Sequence, residues 1–139
     1  MIAITATGAL LAKARSEILV MTMDVAVVTK RIHRANLGRG VTYQVIAPDT
    51  ARITAAMGRL SVAGVRTRTV SDVPADLIII DRTDVILPSD TARGLDGPLT
   101  RFHQAAIVTA AIELFERVWA SAAPPIGSGR PMDTELSDT

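Results

Sequence analysis

Carboxylates, basic side chains and two histidines are the groups in this sequence that could do chemistry, and their spacing limits which chemistry. His33 and His103 stand apart, with no acidic or histidine partner at ligand spacing, so both are expected to be solvated or capping residues and not metal ligands or general bases. "GRG" at 38–40 ends an apolar-periodic segment instead of opening one, so it is no phosphate loop, and Gly-x-Ser-x-Gly is missing. The absence of cysteine removes a disulfide scaffold, a thiolate metal site and a Cys nucleophile. No metal and no cofactor is expected. Lys30, Arg31 and Arg34 could meet phosphate, but one Tyr and two Phe offer no platform for stacking bases, so direct nucleic-acid contact is not expected.

The elements that must position the remaining charged groups follow from hydrophobic periodicity. "EILVMTM" (17–23) predicts a strand. "VAVVTKRIHRANLGRG" predicts a helix with Val25, Val28, Ile32 and Ala35 on its inner stripe, closed by Gly38 and Gly40. "VTYQVIA" (41–47) predicts a second strand. The next helix has Asp49 as N-cap, Ile53, Met57 and Leu60 inward, and Gly64 at its end. "VRTRTV" (65–70) alternates strictly, with Arg66, Arg68 and Val70 on one side. "DLIIID" and "VILPSD" are separated only by "RTD", which fits a hairpin of antiparallel strands. A short strand near "GPLTRF" precedes the longest helix, 103–122, whose apolar face carries Val108, Ile112, Phe115, Val118 and Trp119. The expected class is α/β: a mixed sheet with three parallel βα units, an antiparallel hairpin and a long C-terminal helix.

In such sheets ligands sit at the carboxyl ends of the parallel strands. That places Thr22 and Asp24 after the first, Asp49 after the second and Asp72 after the third, with Arg66 and Arg68 supplying positive charge. Alternatively the Arg pair faces solvent or pairs with Asp72 and Asp76. Asp81 either fixes the "DRTD" turn through its side chain or contacts a ligand.

A chain of 139 residues, 48% hydrophobic, suits one domain with a buried core. No apolar run approaches the roughly 20 residues a bilayer requires. The basic residues Lys13 and Arg15 follow the first apolar stretch instead of preceding it, which argues against a signal peptide. A cytoplasmic protein without membrane contact is expected. Residues 1–68 hold ten Lys/Arg against three Asp/Glu, and the remainder five against eleven, a split that cancels if the two halves interleave. Residues 123–139 are rich in Pro, Gly and Ser and read as a linker or disordered tail.

"DLIIIDRTDVILPSD" (76–90) resembles the strand pair of the phospholipase D superfamily, whose motif is His-x-Lys-x4-Asp followed by a hairpin return. Setting the motif's Asp on Asp81 places Pro74 where the nucleophilic His belongs and Asp76 where the phosphate-binding Lys belongs. Proline cannot attack phosphorus, and a carboxylate repels phosphate, so the resemblance implies the fold of a half domain without catalysis.

More of the chain, roughly 9–123, resembles the effector domain of LuxR-type helix-turn-helix regulators in the TrmB-like group of actinobacteria. The likeness is carried by "AKARSEILVMT", "LGRGVTYQVIAPD", "AGVRTRTVSDVPADLIIIDRTDVILPSD" and "AAIELFERVWASAAP" in that order. The final "ELSDT" resembles the opening of a LuxR-type DNA-binding domain. The resemblance implies a sensor and dimerisation domain at 1–123, followed by a linker at 124–139 towards a DNA-binding domain that is absent here. It further implies an unidentified small-molecule effector, a homodimer, and DNA contact only through the missing domain. Two other functions are weighed beside it, a protein-interaction scaffold with a closed pocket and a minimal phosphodiesterase.

Overall fold

Alternating burial along three strands explains the layout. The computed structural model describes residues 2–4 and 7–123, and the expected linker and the "ELSDT" likeness lie outside them. The strands are β1 (Ile2–Ile4), β2 (Glu17–Met21), β3 (Thr42–Pro48), β4 (Arg66–Val70), β5 (Leu77–Ile80), β6 (Asp84–Pro88) and β7 (Leu99–Phe102). The helices are α1 (Thr7–Leu11), α2 (Arg31–Gly38), α3 (Ala51–Val62) and α4 (Ala105–Ser121), with 3-10 helices at Val25–Thr29 and Gly94–Asp96.

One sheet of seven strands runs in the order β1-β7-β6-β5-β2-β3-β4. β2, β3 and β4 are parallel, and every other pairing is antiparallel. This is the mixed α/β sheet that the periodicity predicts. In β2, Ile18 and Val20 join a core with α1, α3 and the first 3-10 helix, while Leu19 and Met21 join a second core under α4. The same alternation sends Val45 and Ile78 to the first core, and Ile46, Leu77 and Ile79 to the second. Strands covered on both faces must be apolar throughout, which is why β2 and β5 read as unbroken hydrophobic runs.

Two expectations need correction, and two features were not anticipated. The single helix expected over 25–40 is two pieces: Lys30 is extended (φ −66°, ψ 154°), so the 3-10 helix stops there and α2 restarts with a new phase. That phase buries His33 and Asn36 and leaves Ala35 exposed. Secondly, the N-cap of α3 is Thr50, whose hydroxyl accepts the Ile53 N–H at 3.3 Å, and not Asp49. Thirdly, residues 2–4 form an edge strand, antiparallel to β7, that apolar patterning over so few residues does not announce. Finally, β2-β3-β4 of the basic part lie together on one side of the sheet and β5, β6 and β7 on the other, with β1 of the basic part set apart beside β7.

The hairpin joining β5 to β6 turns through Asp81 (φ 52°) and Arg82 (φ 59°), with Thr83 N–H donating to the Ile80 carbonyl at 3.0 Å. The loop is three residues long, and its two successive left-handed residues are neither glycine nor asparagine. External partners hold both. Arg82 Nε lies 2.7 Å from Glu17 Oε2 and its Nη2 donates to Glu116 Oε2 at 3.1 Å.

Candidate functional site

The carboxyl ends of the parallel strands form two separate depressions. The first, about 240 Å³, lies beyond β2 and includes Thr22, Asp24, Asp76 and Arg93 in its lining. Its polar groups largely serve the backbone. The Thr22 hydroxyl donates to the Asp24 carbonyl (3.1 Å) and accepts the Asp24 N–H (3.0 Å), and the Asp24 carboxylate caps the 3-10 helix through Ala26 N–H (3.0 Å). Asp76 Oδ1 accepts the Met23 N–H at 2.9 Å.

The second depression, about 500 Å³, lies beyond β3 and β4 and is lined by Asp49, Ser71, Asp72, Val118, Ser121 and Ala123 among others. Thr50 takes the capping role, Asp49 lines this cleft, and neither Asp49 nor Asp72 has a side-chain partner among the described residues. One wall is the end of α4. The chain leaving that helix pairs with the free edge of β4: Thr69 N–H donates to the Ala123 carbonyl (2.7 Å) and Ala123 N–H donates back to Thr69 (3.0 Å).

Arg66 and Arg68 belong to that same joint. The Arg68 guanidinium lies 4.5 Å from the Trp119 ring centroid and Nη1 donates to the Trp119 carbonyl at 2.7 Å, while the Arg66 guanidinium lies 5.5 Å from the ring. Trp119 in turn stacks on Phe115. The alternative pairing of these arginines with Asp72 or Asp76 is not what forms; a guanidinium on an aromatic face with a carbonyl in reach satisfies both its charge and its planar donors.

Asp81 stands at the other end of the sheet. A strand of this length separates it from Asp76 by roughly 15 Å. Its carboxylate neither fixes its own turn nor reaches a depression. It accepts the N–H groups of Arg15 (2.8 Å), Ser16 (2.8 Å) and Glu17 (3.0 Å) and the Ser16 hydroxyl (3.0 Å). Burial disfavours its charge, but these donors outweigh it and hold the carboxyl below the usual carboxylate range. The seven candidate residues therefore divide into Thr22 with Asp24, Asp49 with Asp72, the arginine pair of β4 packed on Trp119, and Asp81 alone.

His33 is the residue that sequence spacing misjudged. It is 2% exposed, and its Nδ1 meets the Tyr43 hydroxyl, which also accepts Asn36 Nδ2 at 3.0 Å. Asn36 donates again to the Leu11 carbonyl at 3.2 Å. Burial, reinforced by the charge of Lys30, lowers the His33 pKa to about 4, so the ring is neutral at physiological pH. No local signal marks it, because the break at Lys30 that resets the periodicity falls on a residue that favours helix.

No family model matches the chain, and no curated protein does. Among solved structures it is similar to TrmBL2, described as an archaeal chromatin protein with a novel mode of DNA binding. The TM-score is 0.64 at 20% identity, over 85% of this chain and 48% of that one. The likeness establishes a shared fold, and this chain spans about half the length of that neighbour. No helix among the described residues is long and apolar enough to cross a membrane.

Proposed function

We propose that this chain is the regulatory domain of a TrmB-like transcription regulator, with a phospholipase D-like fold and no catalysis of its own. In this reading it senses a small-molecule effector, forms a homodimer, and acts on DNA only through a LuxR-type helix-turn-helix domain beyond it. The observation that carries the reading is the joint where α4 ends. A sensor must hold its output segment differently in two states for binding to be felt elsewhere. Ser121 and Ala123 line the same cleft as Asp49 and Asp72, so a molecule bound there touches both the sheet and the chain leaving it. The fold shared with TrmBL2 supports the reading, since that protein binds DNA. Catalysis forms no part of it: Pro74 offers no nucleophile, and Asp76 is occupied with the Met23 N–H.

A thermal-shift screen against sugars, phosphosugars, nucleotides and other bacterial metabolites tests the proposal. A ligand at about 100 times its dissociation constant adds roughly 2.7 kcal/mol to stability. The expected hit weakens in Asp49→Ala or Asp72→Ala and alters hydrogen exchange at residues 119–123. Silence across the panel from a folded dimer favours the scaffold reading instead, which has its own support in Ile107 and Leu114, 37% and 36% exposed on α4.

A further inference from the structure

A third cavity, of about 250 Å³, opens between α1, the first 3-10 helix, α2 and the sheet, away from the cleft at the end of α4. Leu11, Val27, Ile32, Ile78, Leu95 and Leu99 supply its apolar walls. All but Ile32 are buried in the first core. The ion pair Lys30–Asp96 (3.3 Å), more than half exposed on both sides, stands at its rim. The one other polar side chain in its lining is His33.

The hydrogen-bond network favours one tautomer of His33. Asn36 Nδ2 donates to the Tyr43 oxygen, so the phenol proton is free to donate to His33 Nδ1. A neutral imidazole accepting at Nδ1 carries its proton on Nε2. The ring has no second hydrogen bond among the described residues, and His33 is part of the cavity lining. The result is a pocket with apolar walls, a charged rim and an N–H donor on a nearly buried ring. An acceptor delivered to that donor beside apolar walls gains a hydrogen bond shielded from water.

We propose that this cavity is a binding site for a small uncharged organic molecule: an apolar body of about one ring, and a carbonyl oxygen that accepts from His33 Nε2–H. The size is consistent, since an apolar cavity of roughly 150 Å³ already holds benzene. A neutral ligand is favoured over an acid because the cavity offers an ionised group no cation except Lys30, which Asp96 already engages. The site is independent of the regulatory reading above and stands or falls separately from it.

The test is a fluorine NMR titration of the full 139-residue chain with two probes, para-fluoroacetophenone and para-fluoroethylbenzene, which differ in the carbonyl oxygen. The expected result is a saturable shift for the ketone, nuclear Overhauser contacts from its ring to the Leu95 and Leu99 methyls, and binding of the ethyl analogue about tenfold weaker. In His33→Phe the two probes should bind alike. Equal binding of both probes to the unaltered chain overturns the assignment of the donor. Absence of any saturable shift from a folded sample, or contacts to other methyls, overturns the site. The two-probe comparison on the unaltered chain decides the matter even if the variant fails to fold.

Discussion

Asp81 and His33 show how far a residue's role depends on what the fold brings to it. The Asp81 carboxylate accepts three backbone N–H groups from a segment more than sixty positions earlier in the chain and so anchors the entry to β2. Asp81→Ala is expected to destabilise by about 1–3 kcal/mol in urea denaturation, and Asp81→Asn by less, because the amide keeps an acceptor and tolerates the left-handed backbone. The folded-state pKa of Asp81 is depressed, so its contribution is present above the unfolded value of about 4 and is lost as pH falls through the folded one. The Ala variant should therefore show a shallower acid limb than the parent, measured by the denaturation midpoint against pH.

His33 titrates higher. Its folded pKa of about 4 lies below the unfolded 6.5, so the unfolded chain binds a proton that the folded one does not. Stability due to this group is complete above pH 6.5 and falls towards pH 4 with a slope of about 1 kcal/mol per pH unit. Removing the central hydroxyl of the network, Tyr43→Phe, leaves His33 Nδ1 and one Asn36 donor unmatched. A cost of about 1–3 kcal/mol is expected from the same denaturation measurement.

At the scale of elements, the joint between α4 and β4 is the feature to probe. β4 is an edge strand, and an edge left open is a template for pairing; here the chain leaving α4 occupies part of it. Ala123→Pro removes the N–H that donates to Thr69. The expected outcome is faster hydrogen exchange at Thr69 and in the last turn of α4, with exchange in β2 and β5 unchanged. Unaltered exchange at Thr69 would mean that the bridge contributes little to holding the exit segment. The hairpin at Asp81-Arg82 is a second such joint, since its left-handed residues persist through partners on β2 and α4, not through a glycine.

For the whole molecule, the proposed homodimer predicts an average mass in sedimentation equilibrium that rises with concentration. Ile107→Glu combined with Leu114→Glu, both exposed on α4, should return it to the monomer value while leaving the circular dichroism spectrum intact. The sequence by itself determined the order and type of most elements, because apolar runs with period two, the helical stripe of Ile53, Met57 and Leu60, and left-handed glycines such as Gly64 are local signals. It also determined that the parallel trio precedes an antiparallel hairpin, since a three-residue connection between "DLIIID" and "VILPSD" permits nothing else. Tertiary structure alone decided which polar groups meet. Arg68 found Trp119, Asp81 found the start of β2, and His33 found Tyr43, each through the packing of segments that no local pattern links. The physical reason is one of range: backbone conformation and periodicity act over a few residues, whereas a hydrogen bond or ion pair is set by where the packed core has carried its two ends.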